Sequence, residues 1–120
     1  MILVDTSVWV AHLRAGEPDL IAHLDAGDVL GHPLVLGEIA MGNLRDRADL
    51  LAALRNLPPA EVATDGEVLA FIEREALHGL GIGYVGAHLL AAARLTPDTW
   101  LWTFDRRLAE VAERMGVARP

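Results

Sequence analysis

The apolar and polar positions of this chain change their period several times, which predicts an alternation of strands and helices. Ile2, Leu3 and Val4 form a short run of β-favouring residues that stops at Asp5, where the pattern turns polar. This stretch predicts a buried strand that carries a carboxylate at its C-terminal end. Comparable runs predict further strands at Val29–Leu30 and Trp100–Phe104, and short candidates at Glu61–Ala63 and Val117–Ala118.

Apolar residues at helical spacing fill most of the chain between these strands. The clearest local signal is the pair Thr64 and Glu67, because a hydroxyl followed three residues later by a glutamate is typical of a capping box. The helix that follows is predicted to end near Gly79. Its inward-facing residues are expected to be Val68, Leu69, Ile72 and Ala76. Further helices are predicted over residues 7–14, 18–27, 33–41, 50–57, 88–94 and 106–115. Strands that alternate with helices in this way favour an α/β fold with a parallel sheet covered on both faces.

Composition narrows the possible chemistry. The 120 residues are 52% hydrophobic and 22% charged, which predicts one globular domain over residues 1–120. Cysteine and lysine are both absent, so thiolate nucleophiles, Schiff-base lysines and the lysine of a phosphate-binding P-loop are excluded. Ser7 is the only serine and lies outside any Gly-x-Ser-x-Gly motif, which leaves serine hydrolase chemistry without support. No apolar run approaches the roughly 20 residues of a membrane span, and we expect a cytoplasmic protein.

Two predicted strands are followed by an aspartate, Asp5 or Asp105, and Glu38 lies early in the helix that follows a third strand. Because the carboxyl ends of parallel strands meet at one edge of a sheet, these acids are candidates for one crevice. Three hard oxygen donors suit Mg²⁺ or Mn²⁺, which points to phosphodiester chemistry. Each acid also has a simpler interpretation, with the aspartates as helix caps and Glu38 as a surface residue or the partner of an arginine. The net charge of −7 argues against nucleic-acid binding driven by charge alone.

Four stretches of the chain carry a family resemblance. They read M-I-L-V-D-T-S-V-W-V at residues 1–10, G-E-I-A at 37–40, G-I-G-Y-V-G-A-H-L-L-A-A-A at 81–93 and L-W-T-F-D-R-R-L at 101–108. In this order they resemble a PIN domain, and more narrowly the VapC-type toxins of bacterial toxin–antitoxin pairs. The resemblance implies a three-layer α/β/α sandwich around a short parallel sheet. It also implies an endoribonuclease that cleaves cellular RNA with Mg²⁺ or Mn²⁺, as a homodimer or in a heterocomplex with a cognate antitoxin.

The resemblance assigns the site residues one at a time. The family's first acid falls on Asp5, its helical glutamate on Glu38 and its last aspartate on Asp105. By the same resemblance, Asp5 and Asp105 bind the metal ion, while Glu38 binds it or orients the attacking water. Ser7 and Thr103 match the small hydroxyl residues that often lie beside this cluster.

The fourth acid of the family is missing. Where relatives read V-D-A-H-L-L, this chain reads V-G-A-H-L-L at residues 85–90, so Gly86 stands in place of a metal-binding aspartate. Losing one of four acids removes a ligand and about one unit of charge, a kind of change that commonly weakens metal affinity and slows turnover. We therefore hypothesise that Gly86 inactivates the enzyme, either as a substitution introduced to permit expression or as a natural change.

Several alternatives stay open. Arg106 and Arg107 are candidates for gripping RNA phosphates, although an arginine pair in the first turn of a helix is also typical of a solvated face. Gly81, Gly83 and Gly86 spell the Gly-x-Gly-x-x-Gly of a dinucleotide-binding motif, but that motif requires a strand directly before the glycines. A non-catalytic PIN-like domain that only binds an antitoxin or a partner protein is a further alternative, because one acid is missing.

Overall fold

Three short strands form a parallel sheet in the computed structural model, which describes residues 1–120. They are β1 (Ile2–Val4), β2 (Val29–Leu30) and β3 (Trp100–Trp102), in the spatial order β2-β1-β3. The central strand β1 pairs with both neighbours, with Leu3 opposite Leu30 on one side and Leu101 on the other. Because all three strands run in the same direction, their carboxyl ends meet at one edge of the sheet.

Six of the seven helices supply the connections that parallel strands require, and the last helix follows β3. All three residues of β1 are buried, and successive strand residues point to opposite faces, so both faces of the sheet are covered. This arrangement confirms the predicted α/β/α sandwich. None of the helices combines the length and the apolar character that a membrane crossing needs. The helices are α1 (Thr6–Ala15), α2 (Pro18–Ala26), α3 (Pro33–Ala40), α4 (Arg47–Arg55), α5 (Asp65–Arg74), α6 (Gly83–Leu95) and α7 (Arg106–Arg114).

Helix α5 begins as predicted and ends earlier than predicted. The backbone N–H of Glu67 donates to Thr64 Oγ1 at 3.1 Å, and that of Thr64 donates to Glu67 Oε1 at 2.9 Å, which confirms the capping box. The hydrogen bond from the Thr64 backbone, followed by the contact with its hydroxyl, holds the pKa of the Glu67 carboxyl below its usual value. The helix ends at Arg74 rather than near Gly79, and Ala76 adopts a left-handed conformation with φ 53°.

The inward face of α5 is narrower than predicted. Val68 and Phe71 are buried and Ile72 is half-buried, whereas Leu69 is 58% exposed. Leu69 follows Val68 by about 100° around the helix axis, so only one of these two neighbours points to the core. Ala76 is exposed as well, because the helix has already ended.

The predicted strand at Glu61–Ala63 does not form. The sheet edge beside β2 carries one isolated bridge, between Gly31 and Pro59. Proline has no backbone N–H to donate, so a ladder through this segment is interrupted at its start. Glu61 N donates instead to the Thr96 hydroxyl at 2.9 Å.

Strand β3 is shorter than predicted, and its outer edge is only partly covered. The strand ends at Trp102 rather than at residue 104, and the next residue, Thr103, directs its hydroxyl to the carboxylate of Asp5. The predicted edge strand at Val117–Ala118 is reduced to a single bridge with Leu101.

Helix α6 begins at Gly83 rather than near His88. Gly83, with φ 72°, therefore begins the helix, and Gly86 lies inside it rather than in a loop, because tertiary context overrides the low helix propensity of glycine. Along the chain, no strand lies between β2 and these glycines. The alternative of a dinucleotide-binding motif is therefore wrong.

Candidate active site

Asp5 lies where β1 ends, and its side chain is almost fully buried at 9% exposure. It occupies the N-cap position of α1, yet its carboxylate caps none of the backbone N–H groups of that helix. Instead, Oδ2 accepts hydrogen bonds from Ser7 Oγ and from Thr103 Oγ1, both at 2.7 Å. Capping therefore does not explain this side chain. Its Oδ1 has no hydrogen-bond partner within the chain.

The two hydroxyls hold the ends of β1 and β3 together. Each has a single proton, which it donates to Asp5, and each also accepts a backbone hydrogen bond. Ser7 Oγ accepts from Phe104 N at 3.0 Å, and Thr103 Oγ1 accepts from Asp105 N at 3.0 Å. The backbone that leads from β3 into α7 is thereby tied to the Asp5 carboxylate.

Asp105 combines a structural role with an available oxygen. Its Oδ1 accepts from Leu108 N at 3.0 Å, so the capping interpretation of this residue is correct for one oxygen. Its Oδ2 makes no hydrogen bond within the chain, and the residue is exposed. Asp105 thus remains a candidate ligand at the same edge of the sheet as Asp5.

Glu38 is tied to the start of α1 by a residue that the sequence did not single out as part of the site. Thr6 Oγ1 donates to Glu38 Oε1 at 2.6 Å, and Thr6 directly follows Asp5. Glu38 forms no salt bridge, so the alternative of an arginine partner is wrong. The carboxylate is exposed and keeps Oε2 free of hydrogen bonds within the chain.

The donor set of this edge suits a hard divalent cation. Asp5, Glu38 and Asp105 each keep one carboxylate oxygen outside the hydrogen-bond network. However, no three acidic or histidine side chains lie close enough together to hold one ion, so the predicted convergence of three ligands is not formed in this structure. Mg²⁺ commonly binds through one or two carboxylates and retains several water molecules. Two of these acids are therefore enough carboxylate ligands for one Mg²⁺ ion.

Gly86 faces the start of α7. A Cβ atom added at this position meets Leu108 Cδ1 at 3.3 Å and Ile82 Cβ at 3.6 Å. Leu108 is the residue whose N–H is capped by Asp105. A side chain at position 86 would therefore point toward the helix end that carries Asp105, and only the flexible end of a leucine side chain would have to move.

The two arginines that follow Asp105 differ in their surroundings. Arg106 lies 3.9 Å from Glu110 and is solvated, as the simpler interpretation predicts. Arg107 forms no ion pair, and its guanidinium lies across Gly81, where an added Cβ would clash with Nη1. Together with Arg114, Arg107 lines a groove of about 420 Å³ along α7.

A second polar cluster links α5, α6 and the start of α3. Asp65 Oδ1 accepts from Tyr84 OH at 2.8 Å and lies 3.2 Å from His88 Nε2. These hydrogen bonds, with that of Tyr84 the larger, lower the pKa of the Asp65 carboxyl, and the same contact raises the pKa of Tyr84. His88 is buried, and its ring lies 6.3 Å from that of His32. Sequence reasoning missed this cluster because its members are far apart along the chain.

The comparisons with known proteins agree with the fold. The model of the PIN domain family matches residues 2–114, and the chain belongs to that family. The chain is 43% identical over 118 residues to Ribonuclease VapC32 of Mycobacterium tuberculosis strain CDC 1551 / Oshkosh, covering 98% of this chain and 95% of the relative. The Ribonuclease VapC32 of strain ATCC 25618 / H37Rv gives the same values. The predicted family resemblance is thereby confirmed. No solved structure gave a significant match.

Proposed function

We propose that this chain, a single PIN domain over residues 1–120, is the toxin of a toxin–antitoxin pair and hydrolyses phosphodiester bonds of cellular RNA. The observation that supports this most strongly is the carboxylate of Asp5. It is buried at the carboxyl edge of a parallel sheet, it caps nothing, and two hydroxyls orient it toward the same edge as Asp105. The identity of 43% to a protein named as a ribonuclease agrees with this use of the site.

In the proposed reaction, Asp5 and Asp105 would hold Mg²⁺ or Mn²⁺. Glu38 would orient the attacking water, or would join them as a ligand if the three acids moved closer together than in this structure. A bound divalent ion supplies an activated water and neutralises charge that develops on the phosphate. Ser7 and Thr103 act as positioning residues, because their protons fix Asp5 Oδ2 and leave Oδ1 available. Glu38 Oε1 accepts a hydrogen bond from the Thr6 hydroxyl, which leaves Oε2 to accept a hydrogen bond from water.

Gly86 weakens this site in our proposal, and restoring the acid is the test. The Gly86→Asp variant should fold, because the one tight contact of its Cβ is with the flexible end of Leu108, and the contact with Ile82 Cβ at 3.6 Å is ordinary packing. We expect it to cleave RNA roughly 10- to 100-fold faster than the wild-type chain in Mg²⁺, which is the usual effect of one residue around a metal site. Gly86→Asn is the matched control, since it has nearly the same shape without the charge, and it should stay at the wild-type rate.

The possible results separate the parts of the proposal. Equal activity of the wild-type chain and of Gly86→Asp would show that position 86 does not limit the reaction. Absence of cleavage by both, in Mg²⁺ and in Mn²⁺, would refute the ribonuclease function. It would favour the second candidate, a non-catalytic PIN domain that only binds an antitoxin or a partner protein, which the missing acid at Gly86 supports.

We further propose a cognate antitoxin as the protein partner, the cytoplasm as the place of action and a homodimer as the free state. These three proposals are based on the resemblance to VapC-type toxins. The antitoxin and the homodimer can be tested independently of catalysis. Co-expression with the protein encoded beside this gene should yield a stable complex, and light scattering of the isolated chain should give twice the monomer mass of 12.9 kDa. A monomer at micromolar concentration would contradict the dimer.

A further inference from the structure

An aromatic ring lies exposed at the edge of the acidic site. Phe104 is 50% exposed, and it is the residue between Thr103 and Asp105. It lies beyond the last residue of β3 and is absent from the buried core. Other apolar side chains of this chain are equally exposed, and what distinguishes Phe104 is its position beside the acids.

The ring is held by its surroundings rather than by the sheet. The backbone N–H of Phe104 donates to Ser7 Oγ at 3.0 Å, which fixes the residue to the same hydroxyl that orients Asp5. The ring meets Trp102 edge to face, with 5.8 Å between centroids and an angle of 84°. Trp102 is itself buried and carries the guanidinium of Arg119 at 4.2 Å from its ring centre.

We propose that the exposed face of Phe104 stacks on a nucleobase of single-stranded RNA next to the scissile phosphate. The inference rests on the proposed function, because it needs RNA in the acidic site. Unpaired RNA bases stack on aromatic side chains, and every base offers a π-face, so such a contact tolerates any sequence. A ring that is already held loses little freedom when a base binds to it.

The charge of the chain makes such a contact valuable. At a net charge of −7, with Asp105 and Glu38 exposed at the site, attraction of the RNA backbone is weak. Stacking does not depend on charge and is screened little by salt. The contribution of Phe104 to RNA affinity should therefore be nearly the same at low and at high ionic strength.

The test measures equilibrium binding of a short fluorescent single-stranded RNA in Ca²⁺, which takes oxygen ligands as Mg²⁺ does but with less rigid geometry. We expect Phe104→Ala and Phe104→Leu to weaken binding by about 5- to 150-fold, the range of one base–aromatic stack. Phe104→Leu retains apolar surface but no π-face. Phe104→Tyr retains the face and should bind within about twofold of the wild-type chain.

Two controls make the result specific. Trp100→Ala removes another exposed aromatic side chain, at the opposite end of β3, and should leave RNA binding unchanged. In a series of RNAs that each lack one base, the absence of one particular base should weaken binding to the wild-type chain but not to Phe104→Ala. Thermal unfolding of each variant establishes that it is folded.

The inference is overturned if the wild-type chain does not bind the RNA, if Phe104→Leu binds as tightly as the wild-type chain, or if Trp100→Ala is equally weakened. Its failure is distinct from failure of the proposed function. Cleavage by Gly86→Asp together with unchanged binding of the Phe104 variants would refute only the stacking contact. Loss of binding in those variants without any cleavage would refute only the nuclease reaction.

Discussion

His32 should make the stability of this protein fall as the solution becomes acidic. The residue is 5% exposed, and its Nδ1 accepts a hydrogen bond from Leu34 N at 3.1 Å at the start of α3. The ring proton of the neutral imidazole therefore lies on Nε2, which is buried without a partner. Burial, and secondarily the neighbouring His88, lower the pKa of His32 from 6.5 to about 4.

The sign and the size of the effect follow from these two pKa values. Above pH 6.5 the imidazole is neutral in both the folded and the unfolded chain, and His32 contributes its full stability there. As the pH falls from 6.5 toward 4, the unfolded chain binds a proton that the folded chain does not. The difference between the two pKa values corresponds to about 3 kcal/mol in the free energy of unfolding. About 2 kcal/mol of this contribution is lost between pH 7 and pH 5.

The variant His32→Asn isolates this contribution. Asparagine is a good N-cap, so its side-chain oxygen can still accept from Leu34 N, but it does not titrate. Urea unfolding of both chains at pH 7, 6 and 5 gives the free energy of unfolding at each pH. His88, whose ring lies 6.3 Å from that of His32, and the Asp65 carboxylate and Tyr84 hydroxyl of the same cluster are present in both chains, so their contributions largely cancel in the comparison. The wild-type chain should lose about 2 kcal/mol more than His32→Asn between pH 7 and pH 5, whatever the absolute stability of the variant. If the free energy of unfolding falls equally with pH in both chains, burial does not lower the pKa of His32 as argued.

Other positions give equally direct predictions. Thr64→Ala removes the capping box of α5 and should lower the free energy of unfolding by about 1 kcal/mol, measured in urea; an unchanged value would mean that the box contributes nothing. Gly81→Ala and Gly79→Ala both place a Cβ at φ near 75°, and each should cost about 1–2 kcal/mol of stability. Only Gly81→Ala displaces the guanidinium of Arg107, so only this variant should also weaken RNA binding at low salt. Equal RNA affinity of the two glycine variants would argue against a phosphate contact by Arg107.

The fold was predictable where burial dictated the pattern. The run Ile2 to Val4 is apolar at every position because both faces of β1 are covered, and a polar residue is tolerated only where the strand ends, at Asp5. The capping box of Thr64 was predictable for a different reason, since all of its hydrogen bonds are local. Both signals are contained in a few consecutive residues.

Other boundaries depended on contacts that no local pattern contains. The stretch Trp100 to Phe104 has uniform β propensity, and the hydroxyl of Thr103 leaves the strand direction to meet Asp5, which lies near the other end of the chain. Gly86 reads as a loop residue, but it is buried within α6, where its backbone faces Leu108.

The site was predicted in part for the same reason. An acid that follows a buried strand is a recognisable signal, and it located Asp5 and the region of Asp105. Thr6 and Phe104 have no such signal, because a threonine beside an aspartate and a phenylalanine after a threonine are ordinary in any strand-to-helix connection. Only the structure places the Thr6 hydroxyl on Glu38 and leaves the Phe104 ring exposed.

The hydrogen bonds of the acidic site also bear on what the loss of one acid means. Asp5 is oriented by Ser7 from α1 and by Thr103 from the connection after β3, and none of its partners belongs to α6. Asp105 is held by its cap on α7, likewise without α6. Under the proposed function, an acid at position 86 would therefore not be needed to arrange the others, and its absence would remove charge and a ligand without releasing the rest of the site. This independence is the physical reason why a single change at Gly86 is expected to be sufficient to restore the site, with no second substitution to rebuild it.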